Sequence, residues 1–467
     1  MSPPAASDRA LSVGPSLRRL LADGRVNPPL EFPETAINFY ESTVEWRSMF
    51  EDPDRYARRT FLRGTTAALG VGTLGTAAAA GQSDDKLRLF AEQGVPGALE
   101  VVTQGRYAYV ATGDGMTVVD WSTPGRPERA GRVDATDPAS GVLDVKVDGD
   151  VASMAHNGGP GVTLVDVADP NDPREAALYD TGAHVHNNFV ADDLVYVGVN
   201  ESGDSPFSRD RVEILDASDP DDPEKVGEWR LADGYPGYAS GWVSPLHDLY
   251  VQGDRAYLAH WDAGTVVLDV SDPADPEAVT RFGGDPRADE PPEDDEFPLE
   301  RYLTKPGSAH YVQPSSDGDY VYVGAETFPQ VFDEDPDTDQ YGGIAVWNVT
   351  DLSSPEQVAY VSPPEEGGFR TAHNFDLTRN RLHASWYRGG ARVYDVTDPT
   401  SPTEEAVYQP DDAFYWTAVA ERGFTVASRI GGGLVFLSRD NGKKQPPAFD
   451  GDDEPPEDPG IEAERRA

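Results

Sequence analysis

Between residues 86 and 440 the chain alternates short apolar runs with turns rich in Gly, Asp and Pro. The clearest case is Gly264 to Pro276, GTVVLDVSDPADP, a β-branched apolar run that ends in a proline-fixed turn. Runs of this length between turn formers predict strands rather than helices. The module returns. Its glycine is Gly115, Gly161, Gly264, Gly343, Gly390 and Gly433, with Arg211 in the third copy. Five residues on stand Asp120, Asp166, Asp216, Asp269, Asn348, Asp395 and Ser438. Seven residues beyond those a proline follows in the first six copies: Pro127, Pro173, Pro223, Pro276, Pro355 and Pro402. Around each module the pattern reads as four strands, A to D. In the fourth copy these are VSPLHDLYVQG, RAYLAHW, GTVVLDVS and, after the turn, EAVTRFG. Seven such copies predict an all-β fold, a seven-bladed β-propeller of four-stranded antiparallel blades. The seventh copy stops after GGLVFLSRDNGKK and lacks strand D. An orphan strand at Lys86 to Glu92, KLRLFAE, is expected to take that place and close the ring, which removes both sheet edges.

The modules VTLVDVADPNDP, VEILDASDPDDP, TVVLDVSDPADP and ARVYDVTDPTSP resemble LVIVD repeats, a propeller family common on microbial cell surfaces. The resemblance covers 86–440 and implies the fold but no general reaction. Upstream, RRTFLRG at 58–64 followed by TTAALGVGTLGTAAAA resembles a twin-arginine export signal, with a small-residue cleavage site at Ala78-x-Ala80. Met49 opens a signal of ordinary length over 49–80, so residues 1–48 are expected to be a leader upstream of the true start. Residues 441–467 read as a disordered acidic tail with no apolar stretch able to span a membrane.

Charge narrows the partners. With 83 Asp and Glu against 38 Lys and Arg, the net charge is −45, which repels nucleic acid. Regular apolar strands argue against disorder, so the acidity reads as that of a folded protein soluble in high salt; the composition resembles that of halophilic archaea. Cysteine is absent, which excludes disulfides, thiolate metal sites, a cysteine nucleophile and a cysteine-linked lipid anchor. The expectation is an exported, monomeric protein, extracellular or at the cell surface. Its partner is a small-molecule ligand or a cell-envelope component.

Candidate chemistry rests on the eight histidines. With the blades aligned on the A–B turn, His186, His247 and His373 fall ten residues before the matched strand-B residues Tyr196, Tyr257 and His383. His310 joins them when its turn is allowed two extra residues. The other blades carry Leu99, Leu143 and Thr417 there, with Trp416 beside the last. Four consecutive blades therefore place histidine at the start of the strand that lines the channel, and the four are expected to bind a transition metal: Cu, Fe, Zn or Mn. Four propeller histidines on one ion resembles the arrangement in carotenoid-cleaving dioxygenases, although the chain carries no sequence motif of that family. His156 and His260 match each other at the end of strand B on the same face; Glu326 lies one residue beyond that position. These three and His184 are secondary candidates. His383 reads as core. If the site is catalytic, metal-dependent redox or hydrolytic chemistry is expected.

Two other readings stay open. The histidines are inherited structural residues of a non-enzymatic scaffold, or they line a metal-free ligand pocket. The DP turns read as structural, because Asp there hydrogen-bonds its own backbone. In the acidic insertion, Asp333, Asp335, Asp337 and Asp339 alternate like calcium ligands but lack the central Gly and closing Glu of an EF-hand. No G-x-S-x-G elbow, HExxH, P-loop or dinucleotide fingerprint occurs.

Overall fold

The repeat folds as seven sheets, each of four antiparallel strands, as expected. The computed structural model describes residues 87–136, 141–201, 210–236, 245–284, 308–327, 342–364, 370–410 and 413–439. The leader, the signal region, the calcium-like run 333–339 and the acidic tail lie outside the described residues. In blade four, strands A to D are Asp248–Gln252, Arg255–His260, Gly264–Asp269 and Glu277–Phe282, paired in chain order. Blade seven departs from this. Its outer strand is Arg88–Gly94, which pairs antiparallel with the last strand, Gly433–Ser438. The closing strand thus begins two residues later than the sequence suggested. The one described helix is a single turn, Leu231–Gly234, after strand D of blade three.

The core lies between blades rather than within one. Seven buried clusters occur, one at each interface between neighbouring blades, including the interface of blade seven with blade one. The cluster between blades three and four, for example, packs Val212, Ile214 and Trp229 against Leu249, Leu258 and Val266. Each sheet buries both faces, which is why its inner strands read as unbroken apolar runs.

Local chemistry explains the spacing of the module. Gly264 has φ +80°, and a Cβ there would sit 2.3 Å from the Phe282 carbonyl oxygen of strand D. Gly161 and Gly390 repeat the arrangement against Tyr179 and Tyr408. At these three positions the glycine is required because strand C starts hard against the end of its own strand D. At the other end of strand C, Asp269 Oδ1 accepts the Ser271 amide at 3.0 Å, and Asp272 Oδ1 accepts that of Ala274 at 3.0 Å. Asp166, Asp216, Asn348 and Asp395 form the same turn in other blades, so these side chains are spent on their own backbone. Gly264→Ala is expected to destabilise the fold by roughly 1–3 kcal/mol, from the left-handed backbone and the overlap with Phe282. The denaturant midpoint measures it, and an unchanged midpoint would contradict the account.

Candidate metal centre

Strand A of each blade touches strand A of both neighbours all the way round, so the seven A strands are innermost. His186 and His310 are each the third residue of their A strands, His184–Ala191 and Ser308–Pro314. His247 immediately precedes Asp248–Gln252, and His373 stands two residues before Phe375–Thr378. The matched positions of the sequence become a row of adjacent rings, tilted against one another by 38–60°. Centroids are 4.3 Å apart for His186 and His247, 4.1 Å for His247 and His310, and 4.5 Å for His310 and His373.

Hydrogen bonds fix the tautomer of two of the rings. His247 Nδ1 lies 3.0 Å from the His310 carbonyl oxygen, and His373 Nδ1 lies 2.8 Å from that of Trp416. A carbonyl only accepts, so in both rings the proton is on Nδ1 and the lone pair on Nε2. At the half-buried end of the row, His186 Nδ1 meets Asn157 Oδ1 at 2.8 Å. His310 differs: it is fully buried, and neither of its ring nitrogens has a hydrogen-bond partner among the described residues. His373 Nε2 is likewise buried without one. Burial pushes His247 and His373 down to about 3, and it holds His186 and His310 well below the usual range with help from neighbouring rings. All four are neutral imidazoles at neutral pH, the form that binds metal.

Glu326, the last residue of Tyr320–Glu326, brings a carboxylate to this row. It is fully buried, with Oε2 3.4 Å from His310 Nε2, and Oε1 accepts the Tyr387 hydroxyl at 2.8 Å. One donor atom from each of His247, His310 and Glu326 falls in a group spanning at most 4.8 Å. Two ligands at about 2.1 Å from one ion lie at most roughly 4.2 Å apart, so a small inward movement closes the set. The surrounding wall is aromatic. Trp261 stacks 6.1 Å from His247, and Tyr387 and Trp416 lie 4.7 and 4.3 Å from His373. Trp261 and Tyr387 hold positive φ, +21° and +46°, and each bridges to the next blade at Ala309 and Tyr415. Strained backbone held by a neighbouring sheet is a mark of positioned side chains.

The remaining sequence candidates go elsewhere. His156 Nε2 pairs with Thr163 Oγ1 at 2.8 Å in its own blade, and His260 packs its ring 6.2 Å from Trp229 of blade three. His184 begins its strand half-buried, close enough to His186 to act on its charge. His383 Nδ1 meets Thr425 Oγ1 at 2.8 Å between blades six and seven, consistent with a packing role. Trp386 is fully buried in the cluster between blades five and six.

Sequence reading missed a second polar layer, one position along the A strands of five of the seven blades. There stand Glu100, Asp144, Asn187, Asp248 and Asn374, with Lys146 close by, all buried. Lys146 Nζ bonds Asp144 and lies 3.6 Å from Glu100. Asn187 donates to Asp248 Oδ2 at 2.8 Å, Asn188 to Asp144 Oδ2 at 2.9 Å, and Asn374 to Glu100 Oε2 at 2.8 Å; Thr417 also donates to Glu100. The contact between Asn374 of blade six and Glu100 of blade one spans the intervening seventh blade, so the network knits the centre of the ring. A signal existed: this column of the alignment is as polar as the histidine column.

The comparisons bear on the fold. The family model described as the LVIVD repeat matches residues 97–135 and 246–283, the first and fourth blades. No curated protein matches the chain. A chain of the mitotic checkpoint complex is similar over 79% of this chain and 98% of its own, at 11% identity and TM-score 0.52. The Pan2 WD40 domain of Neurospora crassa covers 79% and 99% at 9% identity and TM-score 0.52. The Cps50 (Swd1) β-propeller domain of Myceliophteria thermophila covers 75% and 99% at 11% identity and TM-score 0.51. Identities this low speak to architecture alone. Repeat match and sheet order together make this chain a seven-bladed β-propeller that carries LVIVD repeats.

Proposed function

We propose that this propeller is an exported protein that holds one transition-metal ion at the mouth of its channel. His247, His310 and Glu326 are its first donors, and His373 and His186 flank them. The observation that carries the reading is His310. Two buried ring nitrogens without hydrogen-bond partners among the described residues are costly in a protein interior unless something else satisfies them. A metal ion bound at Nε2, the nitrogen that faces Glu326, satisfies that one of the two. The Nδ1 bonds of His247 and His373 to backbone carbonyls fix the tautomer as outer partners do for metal-bound imidazoles. Two nitrogen donors and one carboxylate, with two further imidazoles beside them, suit Zn, Cu, Fe or Mn better than a hard cation. When bound, such an ion supplies Lewis acidity or one-electron chemistry. The chain's own groups orient the donors, through Tyr387 on Glu326 and the blade carbonyls on the rings. Export rests on the RRTFLRG segment, and the acidic surface fits a high-salt medium.

A non-enzymatic scaffold has one observation in its favour: the same Nδ1 bonds tie neighbouring blades together. It does not account for His310. Elemental analysis of protein purified without an affinity tag decides between them. One ion per chain, lost in His247→Ala, is expected; no ion, with the variant altered only in stability, would establish the structural role.

A further inference from the structure

The layer beneath the imidazoles has more negative than positive charge. Glu100, Asp144 and Asp248 are three carboxylates, each nine-tenths buried or more, and they surround a single ammonium, that of Lys146. Fully ionised, the layer has a formal charge of −2 (−3 from the acids, +1 from the lysine). Buried charge of this kind needs a counter-charge. Hydrogen bonds from Asn187, Asn188, Asn374 and Thr417 supply part of it. They do not supply all. Asn187 Oδ1 and Asn374 Oδ1 are buried acceptors without a partner among the described residues. The layer is therefore rich in acceptors.

Its position is the second observation. Asp248 follows His247, Asn187 follows His186, and Asn374 follows His373, so the acidic layer lies one residue, about 3.3 Å along the strand, from the rings. We infer that the Glu100–Asp144–Asp248–Lys146 cluster is the built-in counter-charge of the metal centre: it selects a dication over a monocation, and its members Glu100 and Asp144 exchange protons for that ion. The inference rests on the metal reading above and states what that reading leaves open, the charge of the ion. Burial pushes Glu100 up to about 7 against the pull of Lys146, and it raises Asp144 too. In the metal-free protein at neutral pH, a proton is thus shared in the layer. A dication overhead makes the ionised form cheaper and expels that proton. The groups that face the layer are Lys146, the three acids themselves and Tyr311, whose hydroxyl stays protonated. Asp248, beside His247, is left out of the proton count. The imidazoles contribute none, since they are already neutral.

The experiment is isothermal titration of the full chain with Zn2+ and, separately, with Ag+ as a monovalent probe of similar preference for imidazole. It is run near pH 7 in nitrate medium, in two buffers of different ionisation enthalpy. Wild type is expected to release protons on binding Zn2+. Glu100→Gln, which keeps an acceptor for Asn374 and Thr417, is expected to release fewer, to weaken Zn2+ on the order of tenfold and to leave Ag+ unchanged within about twofold. Asp144→Asn serves as the second variant, with the same expectation. Equal proton counts and equal Zn2+/Ag+ ratios in wild type and both variants would overturn the inference while the metal site stands. If Zn2+ binding in wild type is absent, or unchanged by His310→Ala, it is the metal site itself that fails.

Discussion

His310→Ala is expected to weaken zinc binding more than any other single change, beyond the ~10–100-fold loss typical of an outer partner. The ring is fully buried, its neighbours His247 and His373 are within 4.5 Å centroid to centroid, and Glu326 approaches it at 3.4 Å. Removing it takes away the group that joins two imidazole donors to the only carboxylate in the set. Tyr387→Phe tests the graded form of the same claim. Its hydroxyl touches Glu326 and not the ion, so its loss is expected to cost about 10-fold. His156→Gln is the control: its Nε2 is engaged by Thr163, and zinc affinity should not change. Competition with a chromophoric chelator measures all three. A ranking in which Tyr387→Phe equals wild type and His156→Gln does not would place the ion elsewhere.

Lys146→Met is expected to destabilise the fold by about 3–5 kcal/mol at pH 8, the cost of leaving buried carboxylates without their cation. The effect has a pH signature. Glu100 titrates near 4.5 when unfolded and about 7 in the fold. Between those values the unfolded chain has given up its proton and the folded chain keeps it. Stability from this group is therefore full below about 4.5 and lost as pH rises through 7, a change of roughly 3 kcal/mol. Without Lys146 the acids hold their protons to still higher pH, so the penalty of the variant should shrink as the pH is lowered to 5. The buried histidines slope the other way, because their folded values lie below 6.5 and their contribution is lost on acidification. They are common to both proteins and cancel in the difference. Guanidinium melts of both proteins at pH 5 and pH 8, at one salt concentration, measure it. A penalty equal at the two values would mean that Lys146 acts through packing alone.

Much of this was readable in the chain because a repeat reports on itself. Gly264 and its counterparts mark where strand C meets strand D, Asp269 and Asp272 mark the turn, and KLRLFAE marks a strand with no sheet of its own until the ring closes. Each is a local constraint of backbone geometry, and local constraints survive in spacing. The equal offset of His186, His247, His310 and His373 was legible for the same reason. Equal offset does not say where a ring points. That depended on the next blade's carbonyls, which accept hydrogen bonds from Nδ1 of His247 and His373, while neither ring nitrogen of His310 finds a partner among the described residues. Glu326 was separated from His156 and His260, candidates of nearly the same alignment position, only when the fifth blade's strand B was packed beside the sixth blade's Tyr387. The acidic layer joins residues as distant as Glu100 and Asn374, a pairing no periodicity encodes. Spacing along the chain determined the wheel; contacts across its closure, where side chains from separate blades share one desolvated centre, decided what stands at the hub.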